Sequence, residues 1–124
     1  MMDKSFSKIG EICITQPLCE KYATGVGTDI NTFTGDVPNM LIVGRSIAMM
    51  LDTFEIPDGA IHSTQEMTNV GLANVGDTVV CYARIENRRI MKDMEVVSVS
   101  CQFEIKDGSV ICESKSVVMV PQHA

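Results

Sequence analysis

The spacing of apolar positions changes part-way along this chain, and the change separates a helix from a set of strands. Residues Val37–Phe54, VPNMLIVGRSIAMMLDTF, are apolar nearly all round, which predicts a buried helix rather than a surface one. Pro38 falls in the first turn, where its missing N–H is no loss, and Asp36 just before it complements the positive end of the helix dipole. The helix is therefore expected from Pro38 to about Thr53, with Ile47, Ala48 and Leu51 against a sheet, and Pro57-Asp58-Gly59 stops it. Only Arg45, Ser46, Asp52 and Thr53 break its apolar surface, and Arg45 and Asp52 lie on one stripe.

A period of two takes over afterwards. Ile61–Ala73, Thr78–Glu86, Glu95–Ile105 and Ser109–Val120 read as strands, and in the third of them Val97, Val99, Cys101, Phe103 and Ile105 share one face. Asn74–Asp77 and Lys106-Asp107-Gly108 are turns, Asn87-Arg88-Arg89 reads as a solvated hairpin tip, and Gly71 marks a bulge or a close backbone approach. The four strands are expected to run as a meander. Ahead of the helix the pattern is weak: Ile12–Ile14 is a short apolar stretch, and Cys19–Ala23 suits a first strand or the start of a short helix. Thr24–Asp36, TGVGTDINTFTGD, reads as a polar loop of a length that more often serves function than connection. An apolar helix can only be buried by the sheet that follows it, which gives an α+β chain with one long buried helix wrapped by a curved antiparallel sheet of about five strands.

Composition narrows the function classes. The 124 residues suit a single domain over 1–124, and the net charge of −6 argues against a nucleic-acid partner, whose phosphates need clustered Lys and Arg. No apolar run reaches the roughly 18 residues of a membrane span, and the start MMDKSFSKIGE lacks the apolar core of a signal peptide, so the expectation is a cytoplasmic protein with no membrane partner. Five cysteines with no C-x-x-C pair and only two histidines predict small buried thiols, no metal and no cofactor.

The segments VPNM at Val37–Met40 and TNVGLANVG at Thr68–Gly76 resemble the thioesterase branch of the hotdog superfamily, most closely its fluoroacetyl-CoA thioesterase-like group. That resemblance implies a hotdog fold, a homodimer or dimer of dimers, and an acyl-CoA or acyl-carrier thioester held between subunits, with coenzyme A present only as part of the substrate. At the family's catalytic positions, its helix-opening threonine is Val37 here, its helix glutamate is Arg45 and its strand histidine is Asn69. Valine is no nucleophile, arginine stays protonated and an amide does not titrate. Thr34–Asn39 also resembles part of the D-x-N-P-x-H motif of the MaoC-like hydratase branch, but Pro38 and Asn39 are reversed and Leu41 stands at the histidine position.

What remains is backbone chemistry at the helix start. Free N–H groups at Asn39–Leu41 would hold a thioester oxyanion, with Val37, Asn39, Met40, Leu41 and Arg45 lining the substrate site. Asp36 and Glu66 are the candidate general bases, and Asn69 would hydrogen-bond the thioester or a water. Arg45 needs an anionic partner, which Asp52, Glu66 or a ligand anion would supply. The expected function is a thioesterase-like hotdog protein acting on or binding an acyl-CoA thioester. The alternatives are an inactive acyl-CoA binding module and a MaoC-like enoyl-CoA hydratase or dehydratase.

Overall fold

The computed structural model describes residues 6–25, 36–57 and 59–122, with the backbone alone for 36 and 37. Most of the expected loop Thr24–Asp36, and Asp58 of the expected helix stop, therefore lie outside the described residues. In chain order the elements are β1 (Ser7–Cys13), α1 (Gln16–Gly25), β2 (Asp36–Val37), α2 (Asn39–Thr53), β3 (Ile61–Asn69), β4 (Ala73–Asn74), β5 (Thr78–Met91), β6 (Met94–Ile105) and β7 (Val110–Pro121).

Five of these strands form one antiparallel sheet in the order β1-β5-β6-β7-β3, while β2 pairs with β4 apart from it. Only β5, β6 and β7 follow one another as hairpins. β3 crosses to the far side and pairs with β7, Gln65 opposite Ser116 and Asn69 opposite Cys112, so the expected four-strand meander is corrected to three strands and a crossover. Alternation fixes a strand's faces but not its neighbour. The residues of β3 are mostly exposed, which suits a sheet edge with pairing on one side.

Two further elements differ from expectation for local reasons. Thr15 caps α1, its Oγ1 accepting the Leu18 N–H at 3.2 Å, and Pro17 sits in the first turn, so Cys19–Ala23 belongs to a helix that buries Cys19 and Ala23 on one face. Asn87-Arg88-Arg89 is not a hairpin tip: β5 runs on through it to Met91, and the turn falls at Lys92-Asp93, with Lys92 at φ 56°. The arginines stay exposed there because this end of the hairpin projects past the core, and Arg88 pairs with Glu95 at 3.2 Å.

The core lies between one face of the sheet and α2. Val97, Val99, Cys101 and Phe103 of β6 are buried as the alternation predicts, joined by Val79, Cys81 and Ala83 of β5 and Cys112 and Val118 of β7. α2 packs over β1, β5 and β7, and β1 comes close enough that a Cβ on Gly10 would lie 2.7 Å from the Met49 sulfur. The helix begins at Asn39, with Pro38 as its cap and Val37 in β2. Its buried residues beyond Asn39 are Leu41, Ile42, Val43, Ser46 and Met50; Ile47 and Leu51 are half-buried and Ala48 is exposed. The expected face is therefore rotated, and Met40, Gly44, Arg45, Ala48 and Asp52 form an open stripe. A helix apolar all round carries no signal of which side meets the sheet. It ends in a Schellman closure, in which Glu55 (φ 54°) donates to Asp52 O and Ile56 donates to Leu51 O at 2.9 Å.

Candidate functional site

Residues of four elements converge at the start of α2. The backbones of Asp36 and Val37 pair with Asn74 and Ala73, which fixes the chain entering the helix. Pro38 (φ −58°, ψ 131°) then turns it without any side-chain cap. The Leu41 N–H closes onto Pro38 O at 3.0 Å, so the expected trio of free amides at Asn39–Leu41 reduces to Asn39 and Met40.

Asn39 organises this end. It is 6% exposed, and its Nδ2 donates to Asn69 Oδ1 at 2.9 Å and Gly71 O at 3.0 Å, with Ile111 O at 3.4 Å. Ile111 O also accepts the Val70 and Gly71 N–H groups, which ends β3 and explains the irregularity expected at Gly71. Asn69 and Asn39 thus form one amide latch between edge strand and helix. The other side of that amide, Asn39 Oδ1, is buried without a hydrogen-bond partner, as are Gln65 Nε2 and Ser114 Oγ on the helix-facing side of β3 and β7.

The remaining expected site residues are dispersed. Leu41 turns into the core and Met40, 51% exposed, stays at the surface. Arg45 lies on the open stripe of α2 with no ion pair among the described residues, so the expected pairing with Asp52 or Glu66 is not made, because the helix face is rotated. Glu66, expected as a general base or as a partner of Arg45, stands apart from Asn69 within the chain: Gln65, Met67 and Asn69 face α2, so strand alternation sends Glu66 and Thr68 through the opposite face. The side chains of Asp36 and Val37 lie outside the described residues.

On that opposite face Glu66, Lys115, Ser100 and Arg84 stand in register across four strands. They line a cavity of about 360 Å³ with Phe6, whose ring lies 4.6 Å from the Arg84 guanidinium. Arg84 also pairs with Glu86, and this bond, first among its causes, holds the Glu86 carboxyl below its ordinary range. Neither Arg84 nor Lys115 stands out in the sequence, since both sit on the polar side of regular strands.

Comparison with known proteins gives a fold and no sequence family. No protein-family model and no curated protein matches the chain. Among solved structures, the monoamine oxidase regulatory protein of Archaeoglobus fulgius superposes with a TM-score of 0.80 at 10% identity, over 100% of this chain and 93% of that one. The (R)-hydratase of A. caviae involved in PHA biosynthesis gives 0.76 at 14% identity over 98% of each chain. The 3R-hydroxyacyl-ACP dehydratase complex HadBC of Mycobacterium tuberculosis gives 0.74 at 16%, over 92% of this chain and 93% of that one.

The fold is the hotdog. The similar structures include an (R)-hydratase and a MaoC-like dehydratase, and they do not carry the fluoroacetyl-CoA thioesterase-like resemblance. In this hotdog chain α2 covers the sheet from β1 to β7 and leaves β3, the edge that holds Asn69, without a second neighbour.

Proposed function

We infer that this chain binds an acyl thioester, of coenzyme A or of a carrier protein, with the thioester carbonyl at the start of α2. The observation that carries the reading is the pair of first-turn amides, Asn39 and Met40, left open beside a buried acceptor without a partner, Asn39 Oδ1. Backbone N–H groups at a helix end stabilise developing negative charge without any titrating side chain. The pocket is completed by a second copy of the chain across the free edge of β3. Support for that comes from the edge itself and from the exposed Ile61, Val70, Leu72 and Val75 along and just beyond it.

Chemistry beyond binding depends on Asp36. With Glu66 on the other face and with Val37, Arg45 and Asn69 at the thioesterase positions, Asp36 is the carboxylate-bearing residue that leads directly into this helix. Slow hydrolysis, with Asp36 activating water, is the enzymatic form of this reading. Hydration of an enoyl thioester is the second reading, favoured by the hydratases and dehydratases among the similar structures. It has the same base and lacks a histidine partner at Leu41.

A panel of short and medium acyl-CoAs and enoyl-CoAs tests both, assayed for binding, hydrolysis and hydration with wild type and Asp36→Asn. Saturable binding is expected, with any turnover lowered about a hundredfold or more by Asp36→Asn. Fast turnover indifferent to Asp36→Asn would overturn the assignment of the base, and absence of binding to every thioester would overturn the site.

A further inference from the structure

A groove of about 190 Å³ lies between α1 and α2, beside the first turns of α2. Leu18 and Tyr22 of α1 form one wall, and Met40, Leu41 and Gly44 of α2 form the other. Lys21 and Arg45 stand at its rim. We propose that this groove takes the pantetheine arm of the thioester and that Lys21 and Arg45 receive the arm's terminal phosphate, an inference that rests on the thioester reading above.

Two independent features point to an occupant from outside the chain. Gly44 lies in the interior of α2, where glycine weakens a helix relative to alanine, yet a Cβ built on it meets nothing within 4 Å. Among the described residues nothing excludes a side chain at that position. What the missing side chain leaves is floor space in the groove, beside the half-exposed Met40. The second feature is charge. The chain carries a net −6, yet both cations at this rim are exposed and have no ion pair among the described residues. An apolar trough with two cations at its lip is complementary to an uncharged arm that ends in an anion.

Arg45 is five residues past Met40, which is about 7.5 Å along a helix axis, and its own side chain extends the reach further. A thioester carbonyl on the Asn39 and Met40 amides would lay its arm over Gly44 and bring the phosphate to Arg45 and Lys21. Arg45, which the fold does not pair internally, gains a role as a positioning group for substrate rather than as a base.

The test is equilibrium binding of acetyl-CoA, acetyl-phosphopantetheine and acetyl-pantetheine to the full chain, in wild type, the Lys21→Glu/Arg45→Glu double variant and Gly44→Leu. The double variant is expected to weaken acetyl-CoA and acetyl-phosphopantetheine about tenfold or more and to leave acetyl-pantetheine, which has no phosphate, unchanged. Gly44→Leu is expected to weaken all three while raising the melting temperature, opposite directions that a folding defect would not produce. Equal loss for the two phosphorylated probes assigns recognition to the arm's phosphate; loss for acetyl-CoA alone assigns the cations to the nucleotide and overturns the proposal. Wild-type binding that neither variant weakens overturns the groove and leaves the thioester reading standing, whereas no binding by wild type removes both. A change in sedimentation on Gly44→Leu with ligand affinity unchanged would make the groove a contact between copies, and that also overturns it.

Discussion

Replacing Asn39 by leucine should cost this protein about 2 kcal/mol, and the figure can be built bond by bond. The amide makes three contacts, but they are not of equal weight. Ile111 O is 3.4 Å away and already accepts two backbone N–H groups, so it loses little. Asn69 is exposed, and water can take over at its Oδ1. Gly71 O, held at 3.0 Å, is the carbonyl left stranded, and a stranded buried acceptor costs about 1–3 kcal/mol. Leucine also removes Asn39 Oδ1, which is buried without a partner, and that offsets part of the loss. For a chain of 124 residues about 2 kcal/mol corresponds to a fall of roughly 6–10 °C in melting temperature. Asn39→Asp should be worse at neutral pH, because its carboxylate would face oxygen acceptors in a buried site. Those surroundings raise the folded-state pKa of the introduced acid above its unfolded value. A raised folded pKa gives stability that is complete below the unfolded pKa and lost as pH rises through the folded one. The deficit of Asn39→Asp against wild type should therefore grow between about pH 4 and pH 7, while that of Asn39→Leu stays flat. Denaturant melts of the three proteins across that range measure both. A leucine variant within about 0.5 kcal/mol of wild type, or an aspartate variant with no pH dependence, would refute the latch.

Two other outcomes follow from particular residues. Glu55→Gly should raise stability by about 0.5–1 kcal/mol in thermal melts, because Glu55 occupies the left-handed region at φ 54° in the Schellman closure, where glycine has no Cβ penalty. In the native protein at pH 8 only the exposed Cys13 should react readily with a thiol reagent, and all five cysteines should react after denaturation. Burial pushes the Cys81 thiol up to about 12 and Cys101 up to about 11, and it raises Cys19 and Cys112 as well, so their thiolate fractions are small.

Much of the sheet was legible in the sequence, because alternation in β6 names its buried face and Asp107-Gly108 and Asn74–Asp77 name their turns. The order of the strands was not, since nothing in Ile61–Asn69 states that it should pair with β7 rather than β5. β1 escaped because the irregularity between Lys8 and Gly10 breaks its period. The face of α2 escaped for the opposite reason, an excess of apolar residues. Asn39 and Asn69 were legible as polar residues at the start of α2 and along β3. Their bond to each other was not, because it joins residues thirty positions apart across a helix end. Glu66 stands one strand position from Gln65 and three from Asn69, and in a period of two that puts it on the side of the sheet away from α2.

The three departures from the thioesterase pattern are connected by what replaces them. Asn69 in place of a histidine gives an acceptor that does not titrate, and Asn39 uses it to fix the helix start to the edge strand. Arg45 in place of a glutamate stands on the open side of α2, where a carboxylate would repel an anion and a guanidinium attracts one. Val37 in place of a threonine gives up a hydroxyl but keeps the backbone pairing with Ala73 that aims the chain into the helix. Each replacement discards proton transfer and retains position or charge complementarity. On the thioester reading proposed above, a site altered in that direction at all three places would hold a thioester more than break one, so the fraction of binding that survives Asp36→Asn should far exceed the fraction of turnover.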